Sequence, residues 1–175
     1  MLFQSLRSRR SFTLRSLDDP SQSIFWYYPG VTKSQMFKFG SFPTRLQALI
    51  KGRRSGYLEP VLTTFSTFDF LVYQPDHLEF FLKITAGTEH LGDPAGFECV
   101  EQWLELKDPT SHLCPSETQP WRFIFVVPEE NAASFVQQSF GKVWNSKVKQ
   151  YVLRLSEKDI WDYRDPSINV FFLNR

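Results

Sequence analysis

Residues 67–90 read TFDFLVYQPDHLEFFLKITAGTEH, and this stretch decides which fold the chain can adopt. β-Branched and aromatic residues dominate both halves and a Pro-Asp step separates them, so the pattern predicts two strands joined by a turn. Side chains alternate along a strand, which puts Asp69 on the same face as Leu71 and Tyr73. An acidic residue inside an apolar strand needs a partner or a function.

The second predicted strand covers residues 78–85 and carries its polar residues on one face. Alternation groups four side chains there: Glu79, Phe81, Lys83 and Thr85. Lys83 is then placed to form an ion pair with Asp69 across the strands. The surface that these polar residues line is the candidate functional site of the chain.

The remaining periodicities predict helices and strands along the rest of the chain. Apolar residues at spacings of three and four predict helices over residues 42–50, 93–107 and 131–140. Asp93 and Pro94 suit the start of the second helix, as cap and first-turn residue. Strands are predicted over residues 61–65, 121–127, 149–155 and 169–173. Because residues 121–127 are apolar on nearly both faces, they predict a central buried strand in an α/β sheet with helices packed on it.

The composition is that of a globular domain. The chain has 175 residues, of which 42% are hydrophobic and 22% charged, and 18 Phe residues raise the aromatic content to 17%. A net charge of +1 gives no overall attraction for nucleic acid, so any basic surface must be local. No apolar run reaches the roughly 18 to 20 residues of a membrane span. Cys99 and Cys114 are too few for a disulfide framework or a zinc site, which predicts unpaired thiols.

The first residues differ from the rest. Four arginines, several serines and no acidic residue occur in residues 1–17, and DDPSQS at 18–23 has the composition of a boundary. We interpret residues 1–22 as a flexible basic tail and residues 23–175 as one domain. The same composition fits a mitochondrial presequence or a weak nuclear-import patch, so the expected location is intracellular: nuclear, cytoplasmic or mitochondrial.

Four segments resemble a known family: LEPVLTTFSTFDFLV (58–72), FFLKITAGTEH (80–90), WRFIFVVPEE (121–130) and KQYVLRLS (149–156). They are similar to the nuclease-like domain shared by Crinkler effectors and retrotransposon hot spot proteins. The resemblance spans about residues 57–155, and the FVVP and QYVL segments with their spacing are its most specific part. It implies a restriction-endonuclease-like core of the PD-(D/E)XK superfamily, with a central mixed β-sheet flanked by helices.

The resemblance also implies roles for individual residues. Nucleases of this fold carry an acidic residue on one strand and an acid-x-lysine step on the next, and Mg²⁺ is their metal ion. Asp69 would hold Mg²⁺ with Glu79 or Glu59, Lys83 would stabilise the phosphate, and His90 would assist. The chain departs from the pattern because Lys83 occupies the second acidic position, where a lysine would repel the ion.

A second group of residues is predicted to hold a nucleic-acid backbone by charge or hydrogen bonds. It comprises Lys51, Arg53, Arg54, Thr85, Lys147, Lys149 and Gln150. The alternative interpretation of the charged members is a solvated surface.

Two functions therefore stay open at this point. In the first, the chain is a catalytically degraded nuclease-fold domain that binds DNA, RNA, or a host or self protein as an interaction module. In the second, it is an active Mg²⁺-dependent nuclease that hydrolyses phosphodiester bonds. The Lys83 replacement favours the first.

Overall fold

The computed structural model describes residues 10–28, 35–37, 39–60, 66–75, 77–88, 92–105 and 112–156. Eight strands occur in these ranges: β1 (Arg10–Ser16), β2 (Ser23–Tyr28), β3 (Gln35–Phe37), β4 (Gly56–Pro60), β5 (Phe70–Gln74), β6 (His77–Ile84), β7 (Trp121–Pro128) and β8 (Val148–Leu155). The helices there are α1 (Phe42–Lys51), α2 (Ala95–Glu105), α3 (Glu129–Ala132) and α4 (Lys142–Lys147), and a 3₁₀ turn covers Phe39–Ser41. The chain thus has the α/β architecture that the sequence predicts.

The strands form one mixed sheet in the order β2-β1-β8-β7-β6-β5-β4-β3. Neighbours β4, β5 and β6 run antiparallel, whereas β6, β7 and β8 run parallel to one another. The hairpin of β1 and β2 joins the sheet edge antiparallel to β8. The predicted central strand is confirmed, because β7 lies inside the sheet and five consecutive residues of it are buried.

The sheet is strongly curled. Gln74 at the end of β5 donates a hydrogen bond to the carbonyl oxygen of Tyr27 in β2 at 3.4 Å, although four strands separate β2 from β5 in the sheet. The curl gives the sheet an inner face and an outer face. Leu14, Trp26 and Tyr57 belong to one buried cluster on the inner face, which joins the two ends of the sheet.

Helices cover the outer face over the middle of the sheet. Their buried side chains contact strand residues such as Leu71, Phe81 and Phe123 in one large cluster. The helical contributions come mainly from α1 and α2: Phe42, Leu46, Leu49, Phe97, Val100 and Leu104. Sequence and structure agree on α1, predicted over residues 42–50. Within the described ranges, each helix is too short or too polar to cross a membrane.

Helix α2 begins where the sequence predicts. The backbone N–H of Ala95 donates to Oδ1 of Asp93 at 3.0 Å, so Asp93 satisfies an unpaired amide of the first turn. Hydrogen bonds from Ser66 and from that amide lower the pKa of Asp93. Cys99 on the same helix and Cys114 beyond its end are free thiols, and burial raises the pKa of both.

Two predictions of local structure are wrong. Residues 10–22 are not a flexible tail, because β1 pairs with β2 in the sheet and a turn joins the two strands. The predicted helix over residues 131–140 is replaced by the short α3 and an irregular segment up to Phe140. The predicted strands at residues 61–65 and 169–173, and the tail before residue 10, lie outside the described residues.

Candidate functional site

The β5–β6 hairpin brings Asp69 and Lys83 together. Asp69 immediately precedes β5, Lys83 lies near the end of β6, and antiparallel pairing places these ends side by side. The backbone N–H of Asp69 donates to the Leu82 carbonyl oxygen at 2.8 Å, which extends the ladder to the site. Both side chains belong to the outer face, since Leu71 and Phe81, two residues away on each strand, lie in the helix-covered cluster.

Both oxygens of the Asp69 carboxylate have protein partners. The Nζ of Lys83 lies 3.1 Å from Oδ1, and the backbone N–H of Ile84 donates to Oδ2 at 2.8 Å. The Lys83 side chain is only 14% exposed and that of Asp69 33%, so the pair is partly shielded from water. The ion pair that the sequence allowed as an alternative to a metal ligand is therefore present.

Glu59 lies on the wrong face to join Asp69 at a metal ion. In β4, Leu58 belongs to the helix-covered cluster and Tyr57 to the inner cluster, so alternation places Glu59 on the inner face with Tyr57. Burial raises the pKa of the Glu59 carboxyl. A role for Glu59 as a shared metal ligand with Asp69 is inconsistent with this placement.

Glu79 lies at the far end of β6. It precedes Lys83 by four residues, which corresponds to about 13 Å along a strand. Its backbone is beside the turn of the hairpin, where Gln74 pairs with His77, whereas Asp69 is at the open end. The side chain of Glu79 and the whole of His90 lie outside the described part of the chain.

The donor set that the described residues provide at Asp69 does not fit a magnesium ion. Among the described residues, no group of three histidine, cysteine or acidic side chains is close enough to hold a metal. Mg²⁺ requires oxygen ligands in octahedral geometry, and here one carboxylate is joined to an ammonium group instead. The arrangement can hold two strands in register and neutralise a partly buried charge.

Hydrogen bonds connect the loop after β6 to the end of β7 and to α3. Thr85, predicted to contact nucleic acid, donates its backbone N–H to the Val126 carbonyl oxygen at 3.1 Å and accepts the Gly87 N–H at its hydroxyl at 3.3 Å. Asn131 of α3 donates its side-chain amide to the Ala86 carbonyl oxygen at 2.6 Å. The sequence gives no signal for this role of Asn131, which is the first residue of the helix predicted over residues 131–140.

The predicted basic residues lie at the opposite end of the sheet from Asp69. Lys51, Arg53 and Arg54 are exposed and precede Gly56, which pairs with Tyr73 at the far end of β5. Exposed Lys149 is near the start of β8, at the same end. The structure therefore places these four basic residues three or more residues along the strands from the Asp69–Lys83 pair, roughly 10 Å or more, whereas Thr85 of the same predicted group lies beside Lys83.

Two of the predicted binding residues, Lys147 and Gln150, bind other groups of the protein with their side chains. The Nζ of Lys147 lies 2.7 Å from the Glu101 carboxylate and 5.4 Å from the centre of the Trp144 ring. Gln150 is fully buried, and its amide accepts the Gln138 N–H at 2.9 Å and donates to the Gln138 carbonyl oxygen at 2.6 Å. Burial and these two bonds leave the Gln150 side chain inaccessible to a nucleic acid, which argues against the predicted role.

A double-mutant cycle tests the Asp69–Lys83 pair. We expect Asp69→Asn and Lys83→Met each to lower the free energy of unfolding, with a coupling energy of about 1 kcal/mol, because the pair is only partly shielded from solvent. Urea denaturation of the two single variants and the double variant measures it. Additive effects would mean that the two charges do not interact in solution.

Comparison of the chain with protein-family models, with curated proteins and with solved structures found no match.

Proposed function

We propose that this chain is a nuclease-like domain that binds nucleic acid and does not cleave it. The observation that carries the proposal is the ion pair at Asp69: Lys83 contacts one carboxylate oxygen and the Ile84 N–H contacts the other. An ammonium group stands where a nuclease would hold its metal ion, and catalysis of this kind needs that ion to stabilise the transferred phosphate.

The order of elements around the pair supports the relation to nucleases. Helix α1 is followed by three antiparallel neighbours, β4, β5 and β6, and α2 then leads to β7, which is parallel to β6. Asp69 precedes the second of these strands and Lys83 is near the end of the third. Nucleases of the restriction-endonuclease-like fold place their acidic residue and their acid-x-lysine step on neighbouring strands in this same order along the chain.

The exposed basic residues support nucleic acid as the partner. Lys51, Arg53, Arg54 and Lys149 are at one end of the sheet and are exposed to solvent. Neutralisation of phosphates by such side chains releases counterions and provides sequence-independent affinity. Because the net charge is only +1, this attraction depends on local groups such as these.

A cleavage assay tests the proposal. The wild type should bind labelled DNA or RNA at low ionic strength, and the oligonucleotides should stay intact with Mg²⁺ or Mn²⁺. Metal-dependent cutting that is lost in Asp69→Ala and in Lys83→Ala would instead establish an active nuclease with a rearranged site. Failure to bind any nucleic acid at low salt would remove both alternatives.

A variant designed to gain metal binding tests whether Lys83 prevents a metal ion from binding at Asp69. Lys83→Glu replaces the ammonium group beside Asp69 with a second carboxylate, so we expect a lower melting temperature without metal because of charge repulsion. Mn²⁺ should raise the melting temperature of this variant, since a ligand that binds only the folded state stabilises it, and should leave the wild type unchanged. A matching Mn²⁺ effect on the wild type would contradict the proposal.

A further inference from the structure

The outer face of the β1–β2 hairpin carries two exposed aromatic side chains. Phe12, Leu14 and Trp26 point into the inner cluster, so alternation directs Phe25 and Tyr27 outward. Their exposed fractions are 72% and 55%. These are the two exposed aromatic residues among the described ones, and about 6.7 Å separates their positions along the strand.

A cavity of about 460 Å³ adjoins this face. Thr13, which pairs directly with Phe25, belongs to its lining, so the cavity and the aromatic residues form one continuous surface. The other lining residues come from β1, α3 and its end, and β8: Arg15, Glu129, Ala132, Ala133, Val152 and Arg154. Two positive charges and one negative charge make the lining net positive.

Hydrogen bonds fix Arg15 in place through only one nitrogen of its guanidinium group. Its Nη2 donates to the carbonyl oxygens of Ala132 at 2.5 Å and Phe135 at 3.1 Å, which fixes the guanidinium against the α3 segment. Its Nε and Nη1 groups have no acceptor in the described part of the protein. Arg154 is 70% exposed and forms a 3.1 Å ion pair with Glu129, which is 50% exposed. An anion in the cavity can therefore meet one fixed and one adjustable guanidinium.

We propose that this surface binds single-stranded nucleic acid, with bases stacked on Phe25 and Tyr27 and a backbone phosphate held between Arg15 and Arg154. The inference rests on the proposed function and adds to it a second contact surface, apart from the basic residues named there, and a substrate class. Proteins that bind single strands combine aromatic side chains, on which bases stack, with a positive groove for the backbone. The β1–β2 hairpin and its cavity provide both.

The geometry favours a single strand over a duplex. Rings that project from a strand can stack only on bases that are unpaired and splayed apart, because paired bases present their edges and not their faces. The spacing of about 6.7 Å between Phe25 and Tyr27 is about twice the distance between stacked bases, so each ring can receive its own base.

Fluorescence anisotropy with short labelled oligothymidylate, oligouridylate and a matched duplex tests the proposal on the full chain. We expect the wild type to prefer single strands, and Phe25→Ala and Tyr27→Ala each to weaken binding on the order of tenfold. Phe25→Trp should retain binding, since it keeps a ring. Arg154→Gln should reduce the slope of log affinity against log salt by about 0.7, the value for one phosphate contact on a single strand.

Matched controls lie elsewhere on the surface. Val143 is 62% exposed in α4, so Val143→Ala removes an exposed apolar side chain without touching the hairpin. Arg45 is exposed on α1, and Arg45→Gln changes the net charge as Arg154→Gln does. Both controls should bind single strands like the wild type, and all variants should melt within a few degrees of it because every altered side chain is exposed.

The outcomes separate this proposal from the proposed function. If the wild type binds nucleic acid and Phe25→Ala and Tyr27→Ala bind equally well, the hairpin surface is not the binding site and only the further inference fails. If the wild type binds no nucleic acid at low salt, both fail. If light scattering shows a dimer that these two variants dissociate, while affinity for single strands is unchanged, the occupant of the surface is a second copy of the chain.

Discussion

Phe97→Ala should lower the free energy of unfolding by about 3–5 kcal/mol, the usual cost of truncating a buried aromatic residue. Phe97 has no exposed surface, and its ring centre lies within 5.1–6.2 Å of five other aromatic rings. Those rings belong to Phe81, Trp121, Phe123, Phe140 and Trp144. Since domains are stable by about 5–15 kcal/mol, urea unfolding should detect the loss of a large share of the total.

Phe25→Ala is the matched control, because it makes the same chemical change at a side chain that is 72% exposed. We expect its unfolding free energy to stay within about 0.5 kcal/mol of the wild type. Phe97→Leu should cost less than Phe97→Ala, because it leaves a smaller cavity. Equal losses at Phe25 and Phe97 would show that α2 does not pack against the sheet through this ring.

Gln150→Leu should destabilise the protein by about 3 kcal/mol, although leucine has a similar volume and greater hydrophobicity. The buried Gln150 amide makes two hydrogen bonds to the backbone of Gln138, at 2.9 and 2.6 Å. The variant leaves that N–H and that carbonyl oxygen without these partners, and each buried unsatisfied group costs about 1–3 kcal/mol. Urea unfolding measures the loss, and hydrogen exchange should show faster exchange at the Gln138 amide.

Gln137→Leu is the control for this prediction. Gln137 is exposed and donates one side-chain hydrogen bond to Asp18 at 2.6 Å, so water can replace the lost partner. Its expected effect is within about 0.5 kcal/mol. A Gln150→Leu variant as stable as the wild type would mean that the segment after α3 finds other backbone partners.

The local pattern predicts the elements whose partners are near in sequence. Strands β5 and β6 are joined by a tight turn, so alternation alone indicated that Asp69 and Lys83 share a face and can pair. The nearly unbroken apolar run of β7 and the Asp93 cap of α2 were equally clear. These features depend on propensity and periodicity within a few residues, which the sequence displays directly.

The errors concern residues whose partners are distant in sequence. Basic composition suggested a tail before residue 23. Phe12 and Leu14 alternate with polar residues, which is a weak strand signal in so short a segment. The segment becomes a strand because both side chains pack in the inner cluster. A helical spacing suggested a helix over residues 131–140, but Gln150 binds the Gln138 backbone there and competes with helical hydrogen bonds.

The sequence by itself determined the α/β architecture and the central buried strand, predicted unpaired thiols, and allowed the Asp69–Lys83 ion pair as one of two alternatives. Only the tertiary structure decided which face and which end of the sheet each polar residue occupies. It separates Lys51, Arg53 and Arg54 from Asp69, and it joins Arg15 to a carbonyl oxygen 117 residues away. Such contacts exist only after the sheet has curled, because no local pattern specifies which distant backbone group will lie beside a given side chain.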